Sequence, residues 1–486
     1  MCDLREVAFH LELITIIVID SCGGAGKNQN HVTIKTLPDE TLLEIFDFYR
    51  VDAVAHSRGR PWRWHRLAHV CQRWRFIVYT SPRRLFLQIL CKSGAPIKQI
   101  LRTWPTLPLV LRYQGNARSK LLPNNVMIAL RHPDRVCEIN FILTSSIIGS
   151  IAKVVQVPFV AMKSIQMTSK DVEEPPVLGD FLGGSAPLLE RIGLDCIAVP
   201  FPAIRRLVLS TSHLNRLWLV NIPNTCYFSP EDLVTCLSAL VQLSDLFVGF
   251  RSPASLPNPS MARPPTPERA TLFSLVILVF YGASEYLEGF VARIDCPSLT
   301  TLGIKYFNQL ILEIPQLVQF MSRVDGLKSP SEVIVQPAKM YSTVSLRRGT
   351  RRRWECYFRL PCSQLDWQLS FSTQILHELS PLLRGVHVLS ISKSSIPLIG
   401  KEDVDPTQWL ELFHPFSQTS NIRVFIEELV PDIIRALVSE DMVTGILPRL
   451  TSLHLEGYRK STFAVEAADR FVATRKLAGH NILFSG

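Results

Sequence analysis

The feature that most restricts how this chain can fold is a pattern that returns. Three apolar residues in the spacing L-x-x-L-x-L, with Ile, Val, Phe or Met admitted, begin at Val136 (Val136, Ile139, Phe141), Met162 (Met162, Ile165, Met167), Leu189 (Leu189, Ile192, Leu194) and Leu214 (Leu214, Leu217, Leu219). They recur at Leu243 (Leu243, Leu246, Val248), Phe273 (Phe273, Val276, Leu278) and Leu299 (Leu299, Leu302, Ile304). Successive starts lie 26, 27, 25, 29, 30 and 26 residues apart. A fixed period of that size marks units that cannot bury an apolar face alone and must stack. Alternation of the marked residues is what a strand buried on one face requires. The pattern also matches off period at Ile204 (Ile204, Leu207, Leu209), so the spacing carries the reading and no single match does.

The period is close to the roughly 20–29 residues of leucine-rich repeats. The Asn that follows a standard repeat's L-x-L is mostly absent, so the repeats are degenerate. Past Ile304 the period fades, and Leu383 (Leu383, Val386, Val388) and Leu450 (Leu450, Leu453, Leu455) read as further strands. Val465, Ala468 and Val472 give 464–477 helical spacing, which suits a cap on the last repeat. Three segments interrupt the array: a Pro-rich exposed loop over 252–268, five arginines within 347–353, and a polar acidic stretch over 401–406.

With 486 residues, 47% of them hydrophobic, the chain has material for a large core. A net charge of +10 suits an acidic partner. The eleven cysteines are odd in number and form no C-x-x-C pair, which reads as reduced, buried thiols in an intracellular protein. Neither Leu13 to Ile19 nor Leu272 to Tyr281 is long enough to span a membrane. The expected setting is cytoplasm and/or nucleus, without membrane.

Residues 1–35 read as a poorly determined leader. Over 37–79 two helical patterns follow: Leu42, Ile45, Phe46 and Tyr49 fall at i, i+3, i+4 and i+7, as do Trp64, Leu67, Ala68 and Cys71. Pro38, Asp39 and Glu40 suit the start of the first, and Ser81-Pro82 stops the second. Both carry more apolar residues than one stripe needs, notably Leu43 and Phe48 in the first and Trp62, Val70, Trp74, Ile77 and Val78 in the second. So small a unit cannot bury them all, and an exposed apolar patch marks an interaction site. Over 92–113 a helix from Ile97 to Trp104, a turn at Pro105 and a strand from Leu109 to Tyr113 are expected.

LPDETLLEIF from Leu37, then LAHVCQRW ending at Trp74, resembles an F-box. The chain is most similar to the expanded F-box-like families of fungi, whose members continue into a W-P-x-L-P segment, here Trp104 to Pro108, and then into degenerate leucine-rich repeats. The resemblance implies an α/β fold: leader 1–35, an α-helical F-box module over 36–82, a linker over 83–130, and a leucine-rich-repeat-like solenoid with a capping helix over 131–486. It further implies a non-catalytic substrate receptor of a cullin-based ubiquitin ligase. Leu37, Pro38, Leu42, Ile45, Phe46, Val70, Cys71 and Trp74 would contact a Skp-type adaptor, which brings the cullin, and the repeats would hold an unknown protein substrate. The loop from Val51 to Pro61 is longer than in compact F-boxes; Arg58, Arg60, Arg63 and Arg66 in and after it would steer an acidic partner. The rival class is a repeat scaffold for protein or nucleic acid without any ligase.

Other motifs fail in their details. Gly23-Gly24-Ala25-Gly26-Lys27-Asn28 lacks the first Gly and the final Ser or Thr of a phosphate-binding loop. His132-Pro133-Asp134 reads as a turn before the Val136 strand. His65 and His69 stand at i, i+4, but Arg66 replaces the Glu of a zinc-protease motif. No Ser or Cys sits in a catalytic signature, and no metal or cofactor is expected. Arg347, Arg348, Arg351, Arg352 and Arg353 read as a solvated loop, so nucleic acid is not the expected partner. In each L-x-L the middle residue turns away from the core: Asn140, Gln166, Gly193, Trp218, Phe247, Ile277 and Gly303. Trp218, Phe247 and Ile277 are therefore expected to form one stripe on the face that binds substrate, unless the loop 252–268 covers it.

Overall fold

The structure is a computed structural model that describes residues 36–56, 66–81, 85, 87–91, 96–115, 122–171, 175–253, 269–307, 312–349, 356–392, 405–438, 445–456, 462–477 and 479–485. The leader 1–35, Arg58, Arg60, Trp62, Arg63, Trp64, His65, the loop 254–268, Arg351, Arg352, Arg353 and the stretch 401–404 lie outside the described residues. The chain divides into two compact units, one comprising Met1–Cys91 with Gln99–Val110 and the other Lys92–Lys98 with Leu111–Gly486. The expected linker 83–130 is therefore shared between the units.

In the first unit the helix Asp39–His56 begins where Asp39 and Glu40 oppose the positive end of its dipole. The second helix runs over Gln72–Thr80, shorter than the apolar pattern suggested. A separate single turn at 66–69 precedes it, and Cys71 interrupts the two with an extended backbone (φ −156°, ψ 173°). Its Sγ accepts from the Trp74 amide at 3.4 Å, capping the helix. The strand β1 (Ile89–Cys91) follows, its Ile89 amide donating to the Pro108 carbonyl at 2.9 Å. The helix Ile97–Thr103 and the strand β2 (Leu109–Gln114) match the sequence expectation closely.

The second unit is a mixed α/β assembly on a large, mainly parallel sheet. Its strands are β3 (Val136–Leu143), β4 (Ser164–Ser169), β5 (Arg191–Asp195), β6 (Arg216–Ile222), β7 (Asp245–Phe250), β8 (Ala270–Thr271), β9 (Ile277–Gly282), β10 (Ile294–Asp295) and β11 (Thr301–Tyr306). Then come β12 (Glu332–Ala338), β13 (Tyr341–Arg347), β14 (Cys356–Pro361), β15 (Val388–Ile391), β16 (Asn421–Val424), β17 (Ser452–Leu455) and β18 (Leu483–Ser485). In space the order is β3-β4-β5-β6-β7-β9-β11-β14-β13-β12-β15-β16-β17-β18, while β8 and β10 pair apart. Sequential parallel neighbours are what a repeat of strand and return produces. A staircase of backbone bonds joins them: the amides of Glu190, Asn215, Ser244, Val276 and Thr300 donate to the carbonyls of Lys163, Glu190, Asn215, Ser244 and Val276 at 2.8–2.9 Å. Each bond reaches from the start of one strand to the equivalent point of the strand before. The motif His132-Pro133-Asp134 is a turn, with Arg135 and Val136 donating back to the His132 carbonyl.

Helices supply the returns. Pro202, Pro230, Pro315, Pro381 and Pro406 stand in the first turn of their helices, where a missing N–H costs nothing and the fixed φ already suits the helix. The off-period Ile204, Leu207 and Leu209 lie in one of these helices, Phe201–Leu209. Glu288, on the helix Ser284–Val291, caps the next repeat's helix Pro315–Arg323 by accepting from the Gln316 and Leu317 amides at 2.7 and 2.9 Å. The closing helix is Thr462–Leu477, and its buried Arg475 donates to the carbonyls of Ile446 and Leu447.

Two repeat frames need correction. Leu246 pairs with Leu278 and Phe247 with Val279, so the sixth repeat reads Leu275, Leu278, Phe280. Those three are at most 1% exposed, whereas Phe273 is 72% and Val276 37% exposed. The longer insertion before β9 displaced the frame by two residues, and the pattern still matched because Phe273 and Val276 are apolar. Likewise Leu389 pairs with Ile422, which sets that frame at Val386, Leu389, Ile391 rather than at Leu383. The period fades after Ile304 because β14, β13 and β12 form an antiparallel meander inside the parallel array.

Candidate functional site

In the first unit, the helix pair is joined through its apolar faces. Phe46 and Trp74 meet with ring centroids 4.7 Å apart at 60°, and Leu42, Leu43, Ile77 and Val78 are buried with them. Arg73 clamps the start of the first helix: its Nε and terminal nitrogen reach Asp39 Oδ1 at 3.0 and 2.6 Å, and the same nitrogen reaches the Leu37 carbonyl at 2.6 Å. A short sequence thus fixes the inter-helix geometry by one aromatic pair and one guanidinium.

This packing separates the residues expected to contact an adaptor. Leu42 and Phe46 are 0% and Trp74 8% exposed, so they build the interior and offer a partner almost no surface. The spacing that marks those three as expected adaptor contacts is also the spacing that turns them toward the other helix. Leu37 and Ile45 are partly exposed, and Pro38, Val70 and Cys71 are exposed. Cys71 also has a structural duty as the helix cap. Position in the motif passed over Phe48, Phe76 and Tyr79, which are 56%, 65% and 38% exposed. Phe76 and Tyr79 stand three apart on the helix face opposite Trp74, Ile77 and Val78, and Tyr79 packs edge-on to Trp104 at 4.4 Å. Their signal in the sequence was the surplus of apolar residues beyond one stripe. Of the arginine flank, Arg66 is exposed and described. His69 is exposed, and among the described residues no three metal-ligating side chains gather.

In the second unit, register places the middle residues of successive strands in one row: Asn140, Gln166, Gly193, Trp218, Phe247, Val279, Gly303 and Tyr357. Trp218 and Phe247 are brought together, their ring centroids 4.6 Å apart, and the Arg216 guanidinium lies 4.9 Å over the Trp218 ring. Arg216 also faces Asp245 at 3.6 Å. Ile277 does not join the row, because it pairs with Asp245; Val279 occupies the place expected of it. Both point to the same face, two residues apart on β9. Gly303 is buried, since the Tyr357 ring lies over it: a Cβ there would stand 2.4 Å from the ring's Cζ and hydroxyl.

Sequence reasoning missed the neighbouring row. Tyr281, Lys305 and Arg359 are adjacent in register on β9, β11 and β14. Lys305 Nζ sits 4.2 Å over the Tyr281 ring, and the Arg359 guanidinium 4.6 Å over Tyr341 and 6.0 Å from Tyr357. Burial, then the neighbouring Arg359, pull the Lys305 pKa below its usual value, and burial raises those of Tyr281 and Tyr357. Tyr281 and Lys305 each stand one position past the L-x-L frame, and β14 had no frame to read.

None of the nine cysteines among the described residues is in a disulfide. Burial pushes Cys137 and Cys296 up to about 12 and Cys236 up to about 11, which keeps them as inert thiols. Among the described residues no helix is long and apolar enough to cross a membrane.

No family model matches the chain, and no curated protein matches it. Among solved structures it is similar to the leucine-rich repeat-containing protein LegL7 from Legionella pneumophila, at 9% identity and a TM-score of 0.27, over 82% of this chain and 98% of that one.

Proposed function

We propose that the chain is a non-catalytic substrate receptor: an F-box-type first unit that docks a Skp-type adaptor and, through it, a cullin, and a degenerate leucine-rich-repeat solenoid that holds a protein substrate for ubiquitination. The observation that carries the reading is the first unit's division of labour. Its described interior holds Leu42, Phe46, Trp74 and Ile77, while Phe48, Val70 and Phe76 are more than half exposed. Apolar surface beyond what the helix pair buries has its use in association. The sequence LPDETLLEIF and LAHVCQRW supplies the resemblance that names the partner. Support for the solenoid comes from the sequential parallel strands and the staircase of amide bonds.

The test is reconstitution. Full-length chain co-expressed with a Skp-type adaptor is expected to purify as a stoichiometric complex that also recruits the cullin. A chain that elutes alone under conditions where a known F-box protein binds that adaptor refutes the ligase reading and leaves a repeat scaffold.

A further inference from the structure

The carboxylates on the open face of the second unit's sheet each have a partner in place. Glu138 meets Arg112 at 3.2 Å, Asp195 accepts from Asn221 at 2.7 Å, and Asp245 has Arg216 and Ser244. Glu332 has Ser390 at 3.2 Å and Arg347 at 3.9 Å. Like Arg191 and Arg423 on the same face, Lys305 and Arg359 meet no carboxylate at ion-pair distance among the described residues, but these two are neighbours in register and framed by aromatic rings. Arg359 has only Thr343 Oγ1, at 3.4 Å from its Nε.

Two neighbouring cations repel, and aromatic faces compensate them only in part. The surroundings hold them there nonetheless. Gly303 lets the Tyr357 ring lie across β11, and Gly249 lets Tyr281 approach β7, where a Cβ would stand 3.2 Å from the Tyr281 Cβ. Phe307 packs on Tyr281 with ring centroids 4.9 Å apart. Burial first and Arg359 second lower the Lys305 pKa, and a bound anion opposes both.

We propose that Lys305 and Arg359, framed by Tyr281, Tyr341 and Tyr357, form an anchor for a single carboxylate of an extended acidic protein segment, whose apolar side chain rests on Trp218 and Phe247. Charge complementarity selects the anion. Glu138, Asp245 and Glu332 on the same face already engage Arg112, Arg216 and Arg347, so the adjacent cations left for an anion are this one pair, which suits a single acidic side chain better than a continuous row of phosphates. Phe247 and Lys305 stand two strands apart, about 10 Å at ~4.8 Å per strand. An extended peptide at ~3.3 Å per residue covers that in about three residues, so the segment carries an apolar residue about three positions from an Asp or Glu. The proposal does not rest on the adaptor reading, because no adaptor enters its test.

The probe is a fluorescent peptide of Ser and Gly carrying one Glu and one Leu three positions from it, titrated into the full-length chain. Lys305→Gln and Arg359→Gln are each expected to weaken binding about ten- to a hundredfold, as loss of a charge-assisted hydrogen bond does. The same peptide with Gln for Glu is expected to bind no better to the parent chain than the original does to the double variant. Thermal midpoints should hold or rise in the single variants, since each removes one of two repelling cations. If a midpoint falls, the parent chain's own salt dependence decides: affinity insensitive to salt overturns the proposal. Equal binding by parent and double variant overturns it as well, as does a single-stranded oligonucleotide that displaces the peptide and itself requires Lys305 and Arg359.

Discussion

Replacing Phe76 by Asp should abolish adaptor binding while leaving the first unit folded, and replacing Trp74 by Ala should destabilise the first unit itself. The two residues are two positions apart on one helix and face opposite ways. Phe76 is 65% exposed, and of a Phe side chain's ~150–250 Å² that leaves about 100–160 Å² for a partner to cover. At ~25 cal/mol per Å² this is worth about 2.5–4 kcal/mol, or roughly two to three decades in Kd, before the cost of burying an unpaired carboxylate is added. Trp74, 8% exposed and packed on Phe46, instead contributes to folding, where its truncation costs about 3–5 kcal/mol. That is a large share of the ~5–15 kcal/mol that holds a typical domain. Interferometry on an immobilised Skp-type adaptor reads the first effect and a thermal scan of the full chain the second. Unchanged affinity in Phe76→Asp refutes the argument, as does a Trp74→Ala chain with parent stability and lost binding, which would return Trp74 to the interface.

Register offers a second test: Leu278→Ala should cost about 2–5 kcal/mol of stability and Phe273→Ala less than about 0.5, measured as denaturant midpoints, and the opposite ranking would restore the frame that starts at Phe273. Gly303→Ala should cost about 1–3 kcal/mol by driving Tyr357 off β11, and Tyr357→Ala in the same chain should recover most of it. Burial raises the Glu288 pKa despite the opposing bonds from Gln316 and Leu317. The folded chain then keeps a proton that the unfolded chain has released, so this group's contribution falls as pH rises from its ordinary value through its raised one. The stability deficit of Glu288→Gln should accordingly shrink as pH rises above the ordinary carboxylate range, and a deficit that grows there contradicts the assignment.

The sequence by itself determined the elements whose two faces differ. Strands with one covered and one open face alternate, which is why the frames at Val136, Met162, Leu189, Leu214, Leu243, Leu299 and Leu450 coincide with residues at most 4% exposed. Helix starts were legible at Asp39 and Ile97, where local chemistry or a change of period marks them. Wherever burial loses its alternation, the signal vanished: β13 is covered on both faces over Ser342 to Leu346, and the meander it belongs to left no period to read. Thr419, fully buried at the head of the β16 frame, hid another strand because a polar residue there is satisfied only by the Val386 carbonyl of the preceding repeat. Tertiary structure alone decided which apolar residues of the helix pair are core and which are surface, since Phe46 and Phe48 are chemically identical until the second helix arrives. It alone also brought Lys305 and Arg359 together, because 54 residues and an antiparallel detour separate two side chains that strand pairing makes neighbours.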